Sequence, residues 1–438
     1  MERPLWTRLC LLLIVSWTAQ VSDAAAYTLQ QCIDTALTNS VKLQAQENEA
    51  LSARASYEQA WGRIAPGVSG SASQSWSFGR STGVDNITRA RNTATTNMGV
   101  NASWTLFDGL AMVFNIEQAK ASWRAGKADV EAMQRTISVN VTGLFLQVLL
   151  AKELTAVAEG QLEDIDRKVE RAEALVESGR LAEGELFSLQ SQQAKERYAV
   201  TQNRNKIQLA LLDLAQAMEI EYSTDFDIVT PSEESMEERL LPDREEVYQT
   251  ALAQRPEMAA AQYRLYAQER ALKGAKSAYS PTLTAQGGVN TGYYHLYGED
   301  NASFGKQLHD NLSTNVGLTL SVPIFDRMQT PSAVRKQKLA VANAKLNIEQ
   351  VKKDLRKEID QAYYNAVAAQ AEQVSAQQAA RSAAEAQRYA SEKFDNGRGT
   401  PYEYYDAQQT YLQAQSELLQ ARYNYLFKVR ILEYYMGL

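Results

Sequence analysis

A twelve-residue stretch that occurs twice constrains this chain more than any other feature. Asn97–Asp108 reads NMGVNASWTLFD, and Asn315–Asp326 reads NVGLTLSVPIFD. A shift of 218 pairs Asn97 with Asn315, Gly99 with Gly317, Ser103 with Ser321, Phe107 with Phe325 and Asp108 with Asp326. In the first copy Met98, Val100, Ala102, Trp104 and Leu106 alternate with Asn97, Gly99, Asn101, Ser103 and Thr105. In the second, Val316, Leu318, Leu320, Val322 and Ile324 alternate with Asn315, Gly317, Thr319 and Ser321. A period of two sustained over such a stretch is a β-strand with one apolar and one polar face.

Each copy is preceded by another alternating stretch. Val68, Gly70, Ala72, Gln74, Trp76 and Phe78 alternate with Ser69, Ser71, Ser73, Ser75 and Ser77. Serines in register mark a face that meets water; a low-complexity linker would not place Trp76 and Phe78 in phase. Leu283, Ala285, Gly287 and Val289 likewise oppose Thr284, Gln286, Gly288 and Asn290. The expected strands are about 67–78, 97–107, 282–294 and 312–325, with Gly79–Thr96 as a polar loop in the first hairpin. On this reading Ser69, Ser71, Ser73, Ser75, Asn101, Ser103, Thr284, Asn290, Thr319 and Ser321 share the wet face.

The rest of the chain is helical. Leu110–Ser178 contains no proline, and its apolar residues recur mostly every three or four positions. Such a helix of about 65 residues is roughly 100 Å long and needs coiled packing to persist. Ser178-Gly179 breaks it, and Glu185–Met218 returns. Asp225–Glu246 is an acidic, proline-punctuated link, after which the plan restarts. Thr250-Ala251-Leu252 echoes Thr35-Ala36-Leu37, Gly397-Arg398 echoes Gly179-Arg180, and Glu403 echoes Glu185. The expected organisation is a first repeat over 27–224, a linker over 225–246 and a second repeat over 247–438. Each repeat is helix, β-hairpin, very long helix and return helix, so the fold class is mostly α with a membrane β-barrel portion.

The segment 1–26 reads as a signal peptide: basic Arg3 and Arg8, a short apolar run, then Ala24-Ala25-Ala26. Cys32 is then the only cysteine of the mature chain, which excludes an intramolecular disulfide. A net charge of −7 argues against a nucleic-acid partner. No later segment has an apolar run long enough to cross a bilayer, so no transmembrane helix is expected. The sequence also lacks a metal-ligand cluster, a P-loop, a nucleophile elbow and a nucleotide-binding glycine motif. No enzyme, metal or cofactor is expected.

Four strands with one wet and one apolar face suit an outer-membrane barrel. Trp76, Phe78, Tyr293 and Tyr294 would form the outer aromatic girdle, with Trp104, Phe107 and Phe325 forming the inner one. Four strands cannot enclose water, and open edges are not tolerated in lipid, so several chains must share one barrel. Three chains give twelve strands. The alternative is a soluble coiled-coil protein whose apolar strand face packs in a small sandwich.

In the order, duplication and spacing of these elements the mature chain resembles the TolC family of outer-membrane efflux proteins. The resemblance rests on the Thr-Ala-Leu starts, the Leu106-Phe107-Asp108-Gly109 and Ile324-Phe325-Asp326 strand ends, and the Gly-Arg hairpin tips. It implies a homotrimer in the bacterial outer membrane, with a shared twelve-stranded barrel, contact with outer-membrane lipid and a long α-helical periplasmic tunnel. It further implies docking to a periplasmic adaptor (membrane fusion protein) and an inner-membrane pump, with type I protein secretion as the variant. Gly179, Arg180, Gly397 and Arg398 would be the adaptor-docking tips. Glu185, Glu403 and Asp406 match carboxylates that narrow the family's periplasmic entrance. Phe394 stands where an aromatic often packs, and Arg398 adjoins the usual basic position, here Gly399. Two readings of Glu403 stand, because Thr400-Pro401-Tyr402-Glu403 also spells a capping box. Tyr404, Tyr405 and Tyr411 read as packing residues. A rival class, a periplasmic coiled-coil adaptor, would interrupt a helix hairpin with a β-rich domain for which Ser178–Glu185 leaves no room.

Overall fold

The computed structural model describes residues 26–82, 87–90, 92–230 and 241–437. The expected signal peptide lies outside the described residues except for Ala26, as do residues 231–240 of the acidic link. In chain order the elements are α1 (Leu29–Asn39), α2 (Val41–Gly62), β1 (Gly67–Ser77), β2 (Arg80–Thr82), β3 (Thr88–Ala90) and β4 (Thr93–Phe107). Next come α3 (Ala111–Glu177), α4 (Glu183–Ala217), α5 (Arg244–Gln254), α6 (Pro256–Ser277), β5 (Thr282–Leu296) and α7 (Phe304–Asp310). The chain closes with β6 (Ser313–Ser321), α8 (Gln329–Asp395) and α9 (Pro401–Met436).

Local chemistry fixes the boundaries. Thr28 opens α1 with a reciprocal cap: its hydroxyl accepts from Gln31 N at 3.3 Å, and its N–H donates to Gln31 Oε1 at 2.9 Å. Asp243 caps α5 by accepting from the N–H groups of Glu245 and Glu246. Pro256 begins α6, where a missing N–H costs nothing. The repeated Phe-Asp pair has the same use in both copies. Asp108 Oδ2 accepts from Met112 N at 2.9 Å, and Asp326 Oδ2 accepts from Thr330 N at 2.6 Å, so each aspartate caps one of the two longest helices. Hydrogen bonds from the side chain and backbone of Thr330 hold the Asp326 carboxyl below its ordinary range.

Three details depart from the sequence reading. The polar loop over 79–96 is partly structured: β4 starts at Thr93, and β2 pairs with β3. The fourth strand ends at Ser321 rather than near 325, just before Pro323, which cannot donate to a ladder. The loop between β5 and β6 contains α7, whose neighbour β5 is held when the Gln307 side chain bonds both main-chain groups of Tyr294.

The chain divides into two compact units. One contains the described residues of Val41–Thr136, Leu241–Val367 and Lys428–Leu438, including all the strands; the other contains those of Met1–Ser40, Ile137–Leu240 and Ala368–Phe427, including both helix-hairpin tips. The core of the strand-bearing unit joins Val247 and Ala251 of α5, Met258 of α6, Leu355 and Ile359 of α8, and Leu432 of α9. That of the tip-bearing unit joins Cys32 and Ala36 of α1 to Val141, Phe145, Val148 and Leu149 of α3 and to Leu211 and Leu214 of α4. Each large side chain buried there contributes on the order of 1.5–3 kcal/mol. By length and composition alone, one stretch of α3 is apolar enough to cross a bilayer. Its Val141, Phe145, Val148 and Leu149 are at most 1% exposed and belong to the packed core. Cys32 is fully buried, and burial pushes its thiol up to about 11.

Candidate functional site

The candidate site has two parts, the four-stranded sheet and the hairpin tips. The sheet is antiparallel throughout, in the order β1-β4-β5-β6. Its register fixes which residues share a face. Ser69, Ser71 and Ser73 of β1 stand opposite Asn101, Gly99 and Asn97 of β4. Those three stand opposite Gly288, Asn290 and Gly292 of β5, and Ser103 opposite Gln286. Thr284 and Thr282 face Thr319 and Ser321 of β6, and Ser75 faces Thr95. The expected wet-face residues therefore lie together on one surface.

Between β4 and β5 that surface is interlocked. Asparagine and glycine alternate on both strands so that each asparagine stands opposite a glycine. A Cβ at Gly99 would collide with the Asn290 amide, and one at Gly288 with the Asn101 amide. The amides then link sideways: Asn101 Nδ2 donates to Asn290 Oδ1 at 3.4 Å, and Asn290 Nδ2 to Asn315 Oδ1 at 3.2 Å. Gln286 Nε2 donates to Thr319 Oγ1 at 2.9 Å. The face is polar and uncharged.

The opposite face is mostly apolar and exposed at β1 and β6, with α7 against it at Thr291 and Tyr293. Val68, Ala102, Gly287 and Val316 form one row across the four strands, with Val316 88% exposed. This face has polar intruders toward one end: Gln74 and Thr96 are cross-strand partners that hydrogen-bond each other, and Thr291, His295 and Thr314 share it. Trp76 and Tyr293 lie on this face in adjacent rows, but Tyr294 stands opposite Thr95 on the polar face. Strict alternation sends Tyr294 to the polar side, which corrects its place in the outer girdle. A bulge between Thr105 and Phe107 sets Phe107 opposite Leu283 and returns it to the apolar side next to Trp104. Phe78 and Phe325 lie beyond the ends of β1 and β6, both largely exposed.

The tips share one geometry. Gly179 and Gly397 adopt φ of +71° and +68°. Glycine accepts this left-handed conformation without a Cβ penalty. Arg180 N donates to Leu175 O and Arg398 N to Lys393 O, both at 2.9 Å, closing each incoming helix with a Schellman-type turn. Arg180 and Arg398 are exposed. Glu403 N donates to Thr400 Oγ1 at 3.2 Å, and Thr400 N donates to Glu403 Oε2 at 3.4 Å. The capping-box reading of Glu403 is therefore realised. Asp406 is exposed on the same helix.

Behind the tips lies an aromatic cluster. Tyr404, 1% exposed, stacks on Phe394 at 5.4 Å, and Lys168 Nζ of α3 sits 3.9 Å above its ring. Tyr405 meets Tyr404 edge-on. Its hydroxyl is pushed up to about 12, first by burial and then by the Glu185 carboxylate, which places Glu185 close to this cluster. Phe394 and Tyr404 thus pack as expected. The Lys168 contact was not legible, because it joins residues far apart in the sequence.

The family model described as "Outer membrane efflux protein" matches residues 32–218 and 247–438. A curated relative, the outer membrane efflux protein BepC of Brucella suis biovar 1 (strain 1330), is 22% identical over 295 residues. That match covers 66% of this chain and 62% of BepC. Among solved structures, CusC superposes with a TM-score of 0.77 at 18% identity, covering 93% of this chain and 91% of CusC. The Campylobacter jejuni CmeC outer membrane channel gives 0.75 at 18% identity, covering 93% and 85%. The open state of the Neisseria gonorrhoeae MtrE outer membrane channel gives 0.75 at 17%, covering 93% and 88%. With the family matched over most of its length, the chain belongs to the outer membrane efflux protein family and is a protein of the outer membrane.

Proposed function

We infer that three copies of this chain share one twelve-stranded barrel on a periplasmic helical tunnel and form the passive exit duct of a tripartite efflux pump. The observation that carries this is the sheet: wet on one face, apolar on the other, and unpaired at β1 and β6 among the described residues. Such edges cannot face hydrocarbon. With every neighbour antiparallel, β1 runs opposite to β6, so β6 of one copy and β1 of the next continue the alternation. Four strands from each of three copies close a barrel wide enough for water. The polar face, with Ser73, Asn101 and Asn290, then lines the lumen, while Trp76, Tyr293, Trp104 and Phe107 meet the lipid boundaries.

The two halves, 27–224 and 247–438, read as an internal duplication. In support, left-handed residues turn the chain from strand to helix at Gly109-Leu110 and again, at the shift of the duplicated strand, at Arg327-Met328. The tips serve as the periplasmic entrance and dock the adaptor that joins the duct to the inner-membrane pump. Asp406 and Glu185 supply entrance carboxylates, while Glu403 caps its helix. Packing of Phe394, Tyr404 and Lys168 holds the entrance narrow.

Purified protein in planar bilayers tests this reading. Wild type should conduct in small steps. Tyr404→Ala, which empties the aromatic cluster, should enlarge them, whereas Tyr404→Phe should not, because the Tyr404 hydroxyl has no partner among the described residues. A protein that inserts yet conducts in neither form is not a duct. Proteins crosslinked to the tips in native membranes would then identify the pump or secretion system served.

A further inference from the structure

The helices next to the strands carry a band of unpaired cations, and we propose that this band binds the phosphates of anionic phospholipids in the periplasm-facing leaflet. Its members are Arg63 just after α2, Lys120 in α3, Lys276 in α6, Arg327 just before α8, and Arg335 and Lys338 in its first turns. All are exposed, and none has a side-chain partner among the described residues. Lys120 and Lys338 both lie within the first three turns of their helices. The acids of the same band are mostly engaged. Glu58 pairs with Arg54 and Glu117 with Arg270, while Asp108 and Asp326 cap helices. Glu269 is the exception. The band is therefore positive although the whole chain is at −7.

Three observations place these cations at lipid headgroups. Ile324 is 96% and Phe325 79% exposed, side chains that an outer-membrane protein puts into lipid. Arg327 follows Phe325 by two residues, within about 7 Å along the chain, the depth step from an aromatic belt to phosphate. Just after α2, the Trp104 indole of the apolar face donates to Ile64 O at 2.7 Å and fixes the neighbouring Arg63 beside the same boundary. Finally, Arg327 holds φ +54°, where the first half has Gly109 at +69°. That left-handed conformation disfavours side chains. Met328 and Leu110 hold the same conformation, so what distinguishes position 327 is the exposed charge it carries.

The inference depends on the outer-membrane location and not on efflux, so its test is separate from that of the duct. The protein is reconstituted in vesicles of phosphatidylethanolamine containing phosphatidylglycerol, and bound lipid is counted by native mass spectrometry. Wild type should retain phosphatidylglycerol in preference to phosphatidylethanolamine. Arg327→Gly should lower that preference roughly fivefold. Because glycine suits the left-handed backbone, this variant folds at least as well as wild type. Arg63→Gln/Lys276→Gln/Arg327→Gly should abolish the preference. No preference in wild type, or one unchanged in the triple variant, overturns the proposal. So does a triple variant that alters ion selectivity in bilayers while keeping its lipid, since the cations would then line the pore.

Discussion

Asp406 and Glu403 show how two acids three residues apart can differ in availability. Glu403 is committed to the N–H of Thr400 in a closed capping box, whereas Asp406 projects from the next turn with no side-chain partner among the described residues. Around a threefold axis, like charges ~6 Å apart repel by about 0.7 kcal/mol even at the dielectric of water. A trivalent cation relieves several such repulsions together. Bilayer recordings at low salt should therefore show block by a trivalent cation from the tip side, weakened more by Asp406→Ala than by Glu403→Ala. A double variant that blocks as wild type does would remove both acids from the entrance. Cys32 offers a second residue-scale check. Burial raises its thiol from 9.0 to about 11, so the folded protein holds a proton that the unfolded chain has lost in that range. Stability from this group is complete below pH 9 and falls as pH rises from 9 to about 11. The thiol should resist aromatic disulfide reagents near neutral pH and react at once in denaturant. Labelling of the native protein would show that the α1 core opens.

At the scale of elements, strand faces were legible because period two needs no partner to be read: Ser69 to Ser77 and Met98 to Trp104 announce their sides unaided. Long helices were legible for the same reason, since dozens of residues repeat one period and Gly179 or Gly397 stops it. Short elements carry too few periods. The short helix α7 is held by individual contacts such as Gln307 with Tyr294, and the brief strands β2 and β3 by pairing with each other, and no local pattern announces those. Nor could the asparagine–glycine interlock be read, because it exists only once the register is known. The interlock bears on a pair of variants. Ser73→Leu puts an apolar side chain on the wet face opposite Asn97 and should lower conductance while trimers still assemble. Ala102→Arg puts a charge on the apolar face opposite Val68 and Gly287. At mid-depth that charge costs roughly 2–4 kcal/mol and should reduce assembled protein in the outer-membrane fraction. Normal assembly of Ala102→Arg with failed assembly of Ser73→Leu would invert the faces.

For the whole molecule, the proposal comes down to two strand edges. β1 and β6 are nearly bare, and β6 carries Val316, Leu318 and Leu320 at 88%, 70% and 63% exposure. Lipid suits those apolar side chains, but in a single chain the free ladder groups beside them would face hydrocarbon unpaired. In the proposed barrel a neighbouring copy pairs them. The direct measurement is disulfide crosslinking between copies in a Cys32→Ser background, with Ser71→Cys on β1 combined in turn with Asn315→Cys, Gly317→Cys or Thr319→Cys on β6. The account predicts that one of these pairs, oxidised in intact outer membranes, yields a covalent trimer that reduction returns to single chains. If none of the pairs crosslinks and native mass spectrometry of the detergent-extracted protein finds one chain, the shared barrel is contradicted.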